Sequence, residues 1–213
     1  MRIVTAQELE SWLAGGTVLE RDSRGPKVVA LENQLFLKIF HTRRHPALAR
    51  LHPAALRFAR NAALLESVGV AAPTVVDSFW LDRAQGLSGC LYQPLPGVSL
   101  ETLFEQSPSE IHRLLPELAS FIHQLHDKRL YFRSLHVGNI LLVAEGRFGL
   151  IDFLDLKRNA FPLTKWHIRR NLRHLISHLD RRKLKGFPAT ELFQLYFKGS
   201  RGNEHTGTMD SPK

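Results

Sequence analysis

The chain has 213 residues, 44% of them hydrophobic, enough for one sizeable core or two small lobes and too apolar for a disordered chain. Its 29 lysines and arginines against 20 acidic residues give a formal charge of +9, which favours anionic partners: phosphorylated sugars, nucleotides, acidic lipids or nucleic acid. Cys90, the single cysteine, excludes an internal disulfide, no run is apolar enough to span a bilayer, and the opening residues lack a signal-peptide pattern, so a reducing cytoplasm is expected.

Thr5 followed by Glu8 is a capping-box pattern ahead of Leu9, Trp12 and Leu13 and predicts a short helix over 5–13. Thr17 to Leu19, Val28 to Leu31 and Gln34 to Phe40 read as a strand meander with turns at Asp22–Pro26 and Glu32–Asn33. Leu51 to Val68 carries apolar residues at helical spacing, stops at Gly69 and leads into an extended Ala71–Val76. Phe79–Leu81 and Leu87–Tyr92 predict two more strands. Pro94-Leu95-Pro96-Gly97 is a rigid connector, the expected boundary between a β-rich first half and a helical second half.

Beyond the connector, Pro116 to His126 predicts a helix with Leu118, Phe121, Ile122 and Leu125 on one face and Pro116 in its first turn, the place proline is tolerated. Asn139–Val143 and Phe148–Phe153 form an expected hairpin about Glu145-Gly146. Trp166 to Leu184 is a basic amphipathic helix, and 199–213 reads as a disordered tail.

The chemistry concentrates in Arg133-Ser134-Leu135-His136-Val137-Gly138-Asn139-Ile140-Leu141-Leu142 and, after a turn, Leu150-Ile151-Asp152-Phe153. An amide oxygen and a carboxylate flanking a hairpin suit magnesium, which takes hard oxygen ligands, against nucleotide phosphates. These segments resemble the catalytic loop and metal-binding strand of kinase-like phosphotransferases, which read H-G-D-L-H-x-G-N-I-L and then I-D-F. Leu135, His136, Gly138, Asn139, Ile140 and Leu141 match. With the Phe36–Phe40 strand around Lys38, the Tyr92–Gly97 connector and Arg170–Leu175 downstream, the order over roughly residues 17–190 is similar to the lipopolysaccharide core kinases, Kdo and heptose kinases, and closest to their short bacterial toluene-tolerance members.

The resemblance implies an α+β, two-lobed protein-kinase-like fold over 1–198, with a small β-rich N-lobe to about residue 93 and a compact helical C-lobe from 94. It implies ATP and Mg2+ as cofactors, Lys38 on the nucleotide phosphates, Gln93 beside the adenine, and Asn139 and Asp152 as metal ligands. The acceptor would be a sugar hydroxyl of a lipopolysaccharide inner-core intermediate or another phosphorylated glycolipid, at the cytoplasmic face of the inner membrane, with possible contact to anionic lipid. No stripe of interleaved aromatic and basic residues points to nucleic acid.

Three departures qualify the resemblance. Phe132 and Ser134 stand where the family has histidine and aspartate; serine is no base near neutral pH, and losing a general base costs about 10²- to 10⁴-fold. His136 and Asp155 are the candidates to replace it, His136 being equally suited to holding the loop or touching phosphate. The turn from Arg21 to Lys27 has only Gly25, and the helix that should give Lys38 a glutamate offers Phe58 or Asn61 at the expected place and Glu66 only near its end. The alternative is therefore a pseudokinase, a kinase-shaped accessory module in envelope biogenesis or stress tolerance.

Overall fold

A computed structural model describes residues 1–41 and 45–202, a mixed α+β chain that divides into two units. The expected basic patch at His41–His45 therefore lies partly, at 42–44, outside the described residues, as do 203–213 of the expected tail.

The first unit comprises 1–96 together with 149–154. Helix α1 (Ala6–Gly15) is capped by Thr5, whose hydroxyl accepts from Glu8 N at 3.1 Å. An antiparallel five-stranded sheet follows, built from β1 (Thr17–Asp22), β2 (Gly25–Ala30), β3 (Phe36–Phe40), β4 (Thr74–Asp82) and β5 (Leu87–Gln93) in the order β1-β2-β3-β5-β4. Val29, Leu37, Ile39 and Phe79 form the core of this sheet with Val4, and Leu9, Trp12 and Leu13 of α1 pack against it. The expected extended run at 71–76 and strand at 79–81 are one strand, β4, bulged between Val75 and Asp77.

The single helix expected over 51–68 is two, α2 (Pro46–Leu51) and α3 (Ala54–Ser67), because Pro53 has no N–H to continue the first and instead starts the second. Helix α3 ends at Gly69, whose φ of 72° is easy only for glycine. Its buried face of Ala55, Phe58, Asn61, Ala62 and Leu65 repeats every three or four residues. The segment 149–154 joins this unit by backbone: Leu150 N donates to Ala71 O at 2.9 Å.

The second unit comprises 97–148 and 155–202 of the described residues. Strand β6 (Val98–Ser99) leads through the Ser99 cap into α4 (Leu100–Gln106), which the sequence reading did not predict. Helix α5 (Pro108–Asp127) is 20 residues long, so it starts well before the expected residue 116 and carries Pro116 in its interior. The proline is tolerated there because it sits on the exposed face, while Ile111, Leu114, Leu115, Leu118, Ile122 and Leu125 are buried on the other. Next come β7 (Leu130–Phe132), β8 (Ile140–Leu142), β9 (Phe148–Leu150), where the chain crosses into the first unit at Gly149, and β10 (Leu156–Arg158).

Strand β7 pairs with β10 and β6 with β8, both antiparallel. Helix α6 (Lys165–Arg182) realises the basic amphipathic helix, capped by Thr164. The last element, α7 (Ala189–Gly202), carries the chain through residues 199–202, which corrects the expectation that the tail begins at 199.

Candidate functional site

Lys38 lies mid-strand in β3, opposite Val28 on one side and Cys90 on the other, with its side chain only 11% exposed. A lysine so covered needs compensation for its lost hydration. It has two sources within the first unit: Nζ donates to Asp152 Oδ1 at 2.7 Å, and the Phe58 ring centroid is 5.3 Å away. The sequence left the partner of Lys38 open between positions on the following helix. The structure gives that role to Asp152 and uses the helix differently: Phe58 stacks on Phe153 at 4.5 Å with planes 8° apart, and Asn61 Nδ2 donates to Phe153 O at 2.8 Å.

Those two contacts grip the residue after Asp152. They account for the backbone at Asp152, whose φ of 51° is left-handed and unfavourable for a residue with a Cβ. The carboxylate stays exposed beside the one lysine in the central strand. Gly149 is required just upstream, since a Cβ there would lie 2.9 Å from Ala71 O and 2.5 Å from Leu95 Cδ2.

Gln93 is exposed at the end of β5, facing Thr74 in the register. The turn between β1 and β2 is closed by Asp22, whose carboxylate accepts from Arg24 N at 2.8 Å and is held below its usual pKa chiefly by that bond. Gly25 is its single glycine, so this turn has no G-x-G-x-x-G pattern. Burial pushes the Cys90 thiol up to about 12, which makes it an inert core group.

In the second unit the loop after β7 is tightened by Leu135 N to Phe132 O, 3.1 Å, and Asn139 N to His136 O, 2.9 Å. Ser134 Oγ donates to Asp155 Oδ2 at 2.6 Å, and Arg133 Nε approaches the same oxygen at 3.3 Å. The serine that replaces the expected aspartate thus has a carboxylate against it, supplied from 21 residues along the chain. Asn139 is buried, and its Nδ2 donates to Ser134 O at 3.0 Å, which leaves Oδ1 as the group suited to a cation.

His136 is placed differently from a free base: its ring stacks on His178 at 3.8 Å, 5° from parallel. His178 Nε2 in turn bonds Glu101 Oε2 at 2.8 Å, and Arg182 completes an ion pair with the same buried carboxylate. Burial alone would raise the Glu101 pKa, but the bonds from His178 and Arg182 outweigh it and hold the carboxyl below its usual value. Gly138 is needed beside this cluster, because a Cβ there would meet Glu101 Oε2 at 2.6 Å.

A second buried network fixes the start of the loop. Asn171 Nδ2 donates to Phe132 O at 2.8 Å, His126 Nε2 bonds Asn171 Oδ1 at 3.2 Å, and Tyr196 Oη reaches His126 Nδ1 at 2.8 Å. Since Asn171 Oδ1 can only accept, His126 carries its proton on Nε2 and accepts from the tyrosine on Nδ1. The sequence reading missed Glu101, Asn171, His178 and Tyr196. Asn171 and His178 did leave a signal, as polar residues on the apolar stripe of α6 with Leu172, Leu175 and Leu179; Glu101, at an ordinary helix start, left none.

Magnesium fits these donors in kind. Among the described residues no three His, Cys, Asp or Glu side chains gather as a metal cage, but magnesium commonly takes one or two protein oxygens and completes its shell with water and phosphate. The Asp152 carboxylate, 57% exposed, and the Asn139 amide oxygen are hard donors of that type. They belong to different units, and sequence order is what joins them.

No family model matches the chain, and no curated protein is detectably similar to it. The residues and their surroundings therefore carry the functional argument. No helix among the described residues is long and apolar enough to cross a membrane.

Proposed function

We propose that this chain is an ATP- and magnesium-dependent phosphotransferase of two-lobed, protein-kinase-like architecture, related to the lipopolysaccharide core kinases and acting at the cytoplasmic membrane face on a sugar hydroxyl of a phosphorylated glycolipid. The observation that carries it is the 2.7 Å pair between Lys38 and Asp152, with Asp152 in a left-handed backbone clamped through Phe153. Residues held in sparsely populated backbone regions cluster at active sites and ligand clamps, which favours a ligand-facing role for this carboxylate over a purely structural ion pair.

In this reading Lys38 would turn from Asp152 to nucleotide phosphate, and Asp152 of the first unit and Asn139 of the second are the residues that would each offer an oxygen to the metal. Magnesium supplies charge neutralisation on the transferring phosphoryl group. Gln93 borders the adenine. Asp155 takes the acceptor proton in place of the aspartate that the family has where this chain has Ser134, since its carboxylate already accepts from the Ser134 hydroxyl. His136, stacked on His178, positions the loop.

Two observations favour the accessory-module reading instead: the loop position itself carries a hydroxyl, and the β1–β2 turn offers no run of glycines to nucleotide phosphates. Thermal unfolding with and without nucleotide separates the two. With ~1 mM ATP and excess magnesium, a site of Kd near 100 μM stabilises by about 1.4 kcal/mol, a rise of about 3–6 °C. The rise should vanish in Asp152→Asn and in Lys38→Met. In the same preparation Asp155→Asn should keep the rise and lower phosphoryl transfer or ATP hydrolysis by about 10²-fold or more. No rise in the wild type would leave the pseudokinase reading standing.

A further inference from the structure

Helix α6 has six basic residues and one acidic one, and its basic residues are distributed unevenly around the axis. Arg182 turns inward to Glu101. Arg169, Arg170 and Arg173 instead line a shallow open groove of about 510 Å³ with Trp166, His174 and Ser177. All three arginines are exposed, and among the described residues no carboxylate pairs with any of them. Arg181 continues the same line two turns further on.

Arginines left unpaired in a row repel one another, and the His174 pKa registers the field. It is lowered first by burial and then by the positive charges of Arg170, Arg133 and Arg181, with only Asp155 opposing. Such a row, in a chain whose other surface arginines include pairs with Glu8, Glu110 and Asp155, is explained by an anionic partner.

Two exposed aromatics stand at the N-terminal end of the row. Trp166 is 59% exposed with Arg170 over its ring at 5.1 Å, and Phe161, four residues before the helix, is 79% exposed. Large aromatic rings held in water beside arginines have the composition of an interfacial anchor, in which rings enter the headgroup layer and guanidinium groups reach phosphates along their flexible stems. From Trp166 to Arg181 the row spans roughly 22 Å at the rise of an α-helix, several phosphate headgroups long. A single soluble phosphate would engage two or three of these residues and leave the rest unexplained.

We infer that the outer face of α6 from Trp166 to Arg181, with Phe161 just ahead of the helix, docks the protein on an anionic lipid bilayer surface. The assignment does not depend on phosphotransfer. It would bring Arg133, and with it the Ser134 loop of the same unit, close to the headgroups, where a glycolipid acceptor would be presented.

The test is flotation with unilamellar vesicles of phosphatidylcholine with or without about 30 mol % phosphatidylglycerol, at low salt, using the full chain. The wild type should float with the anionic vesicles only and be released as NaCl rises from ~0.05 to ~0.5 M. At roughly fivefold per arginine near the surface, Arg169→Ser, Arg170→Ser and Arg173→Ser together should weaken partitioning about 100-fold. Their melting temperature should stay unchanged, since all three are exposed. Trp166 emission should shift to the blue on vesicle addition, and Trp166→Phe should abolish that shift while keeping most of the binding.

Flotation of the triple variant equal to wild type, or equal binding to neutral vesicles, would overturn the assignment. So would failure to float with either vesicle, including the case in which inorganic pyrophosphate or a single-stranded oligonucleotide is bound through these arginines instead.

Discussion

His126 shows at the residue scale how a buried titratable ring ties stability to pH. It is 5% exposed at the end of α5, and burial lowers its pKa to about 4, against an unfolded value near 6.5. The native state therefore prefers the neutral ring that bonds Asn171 and Tyr196. Its contribution is fully present above pH 6.5 and is lost as the pH falls toward 4, where the unfolded chain binds the proton first, a change of about 3 kcal/mol in all. Denaturant titrations at pH 7 and pH 4.5 should show the wild type losing most of this amount. His126→Phe should be less stable than wild type at pH 7, with Asn171 Oδ1 and Tyr196 Oη left without the ring, but should lose less on acidification. An equal loss in both proteins would place the titrating group elsewhere. The sequence could place His126 at a helix end, but its partners come from α6 and α7, 45 and 70 residues away.

The helices divide by how local their causes are. Helix α1 follows from Thr5 and its apolar spacing, and its cap forms as read, although Glu8 turns to Arg2 at 2.8 Å rather than back to the cap. Helix α5 is set by something wider than its own proline. The expectation that Pro116 marks a first turn rests on the lost N–H and the clash with the carbonyl four residues back. Here a buried row on both sides of the proline holds one continuous helix, and Pro116 occupies the solvent face, where distortion costs no packing. Pro116→Ala should restore a hydrogen bond to the His112 carbonyl. Allowing for the freedom regained by the unfolded chain, it should stabilise by about 1–2 kcal/mol in urea titrations. A destabilised variant would mean that the proline's shape is itself required.

At the scale of the whole molecule, six residues at 149–154 belong with a unit that otherwise ends at residue 96. Phe153 ties them in: it is fully buried, stacked on Phe58, and its carbonyl is held by Asn61. Phe153→Ala should cost about 3–5 kcal/mol by calorimetry or denaturant titration, the range for a buried phenylalanine that leaves a cavity. It should also weaken any magnesium–nucleotide effect on melting, because Asp152 would lose its clamp. A cost below about 1 kcal/mol would show that the segment is only loosely attached. The sequence by itself determined the meander, the amphipathic helices and the candidate positions Lys38, Ser134, His136, Asn139, Asp152 and Asp155, because alternation, caps, turns and motif order are local properties. Tertiary structure alone decided that Asp152 answers Lys38, that Asp155 reaches Ser134, and that His136 rests on a buried His178–Glu101 pair. Those choices depend on which distant segments the burial of apolar side chains brings together, and no spacing along the chain encodes them.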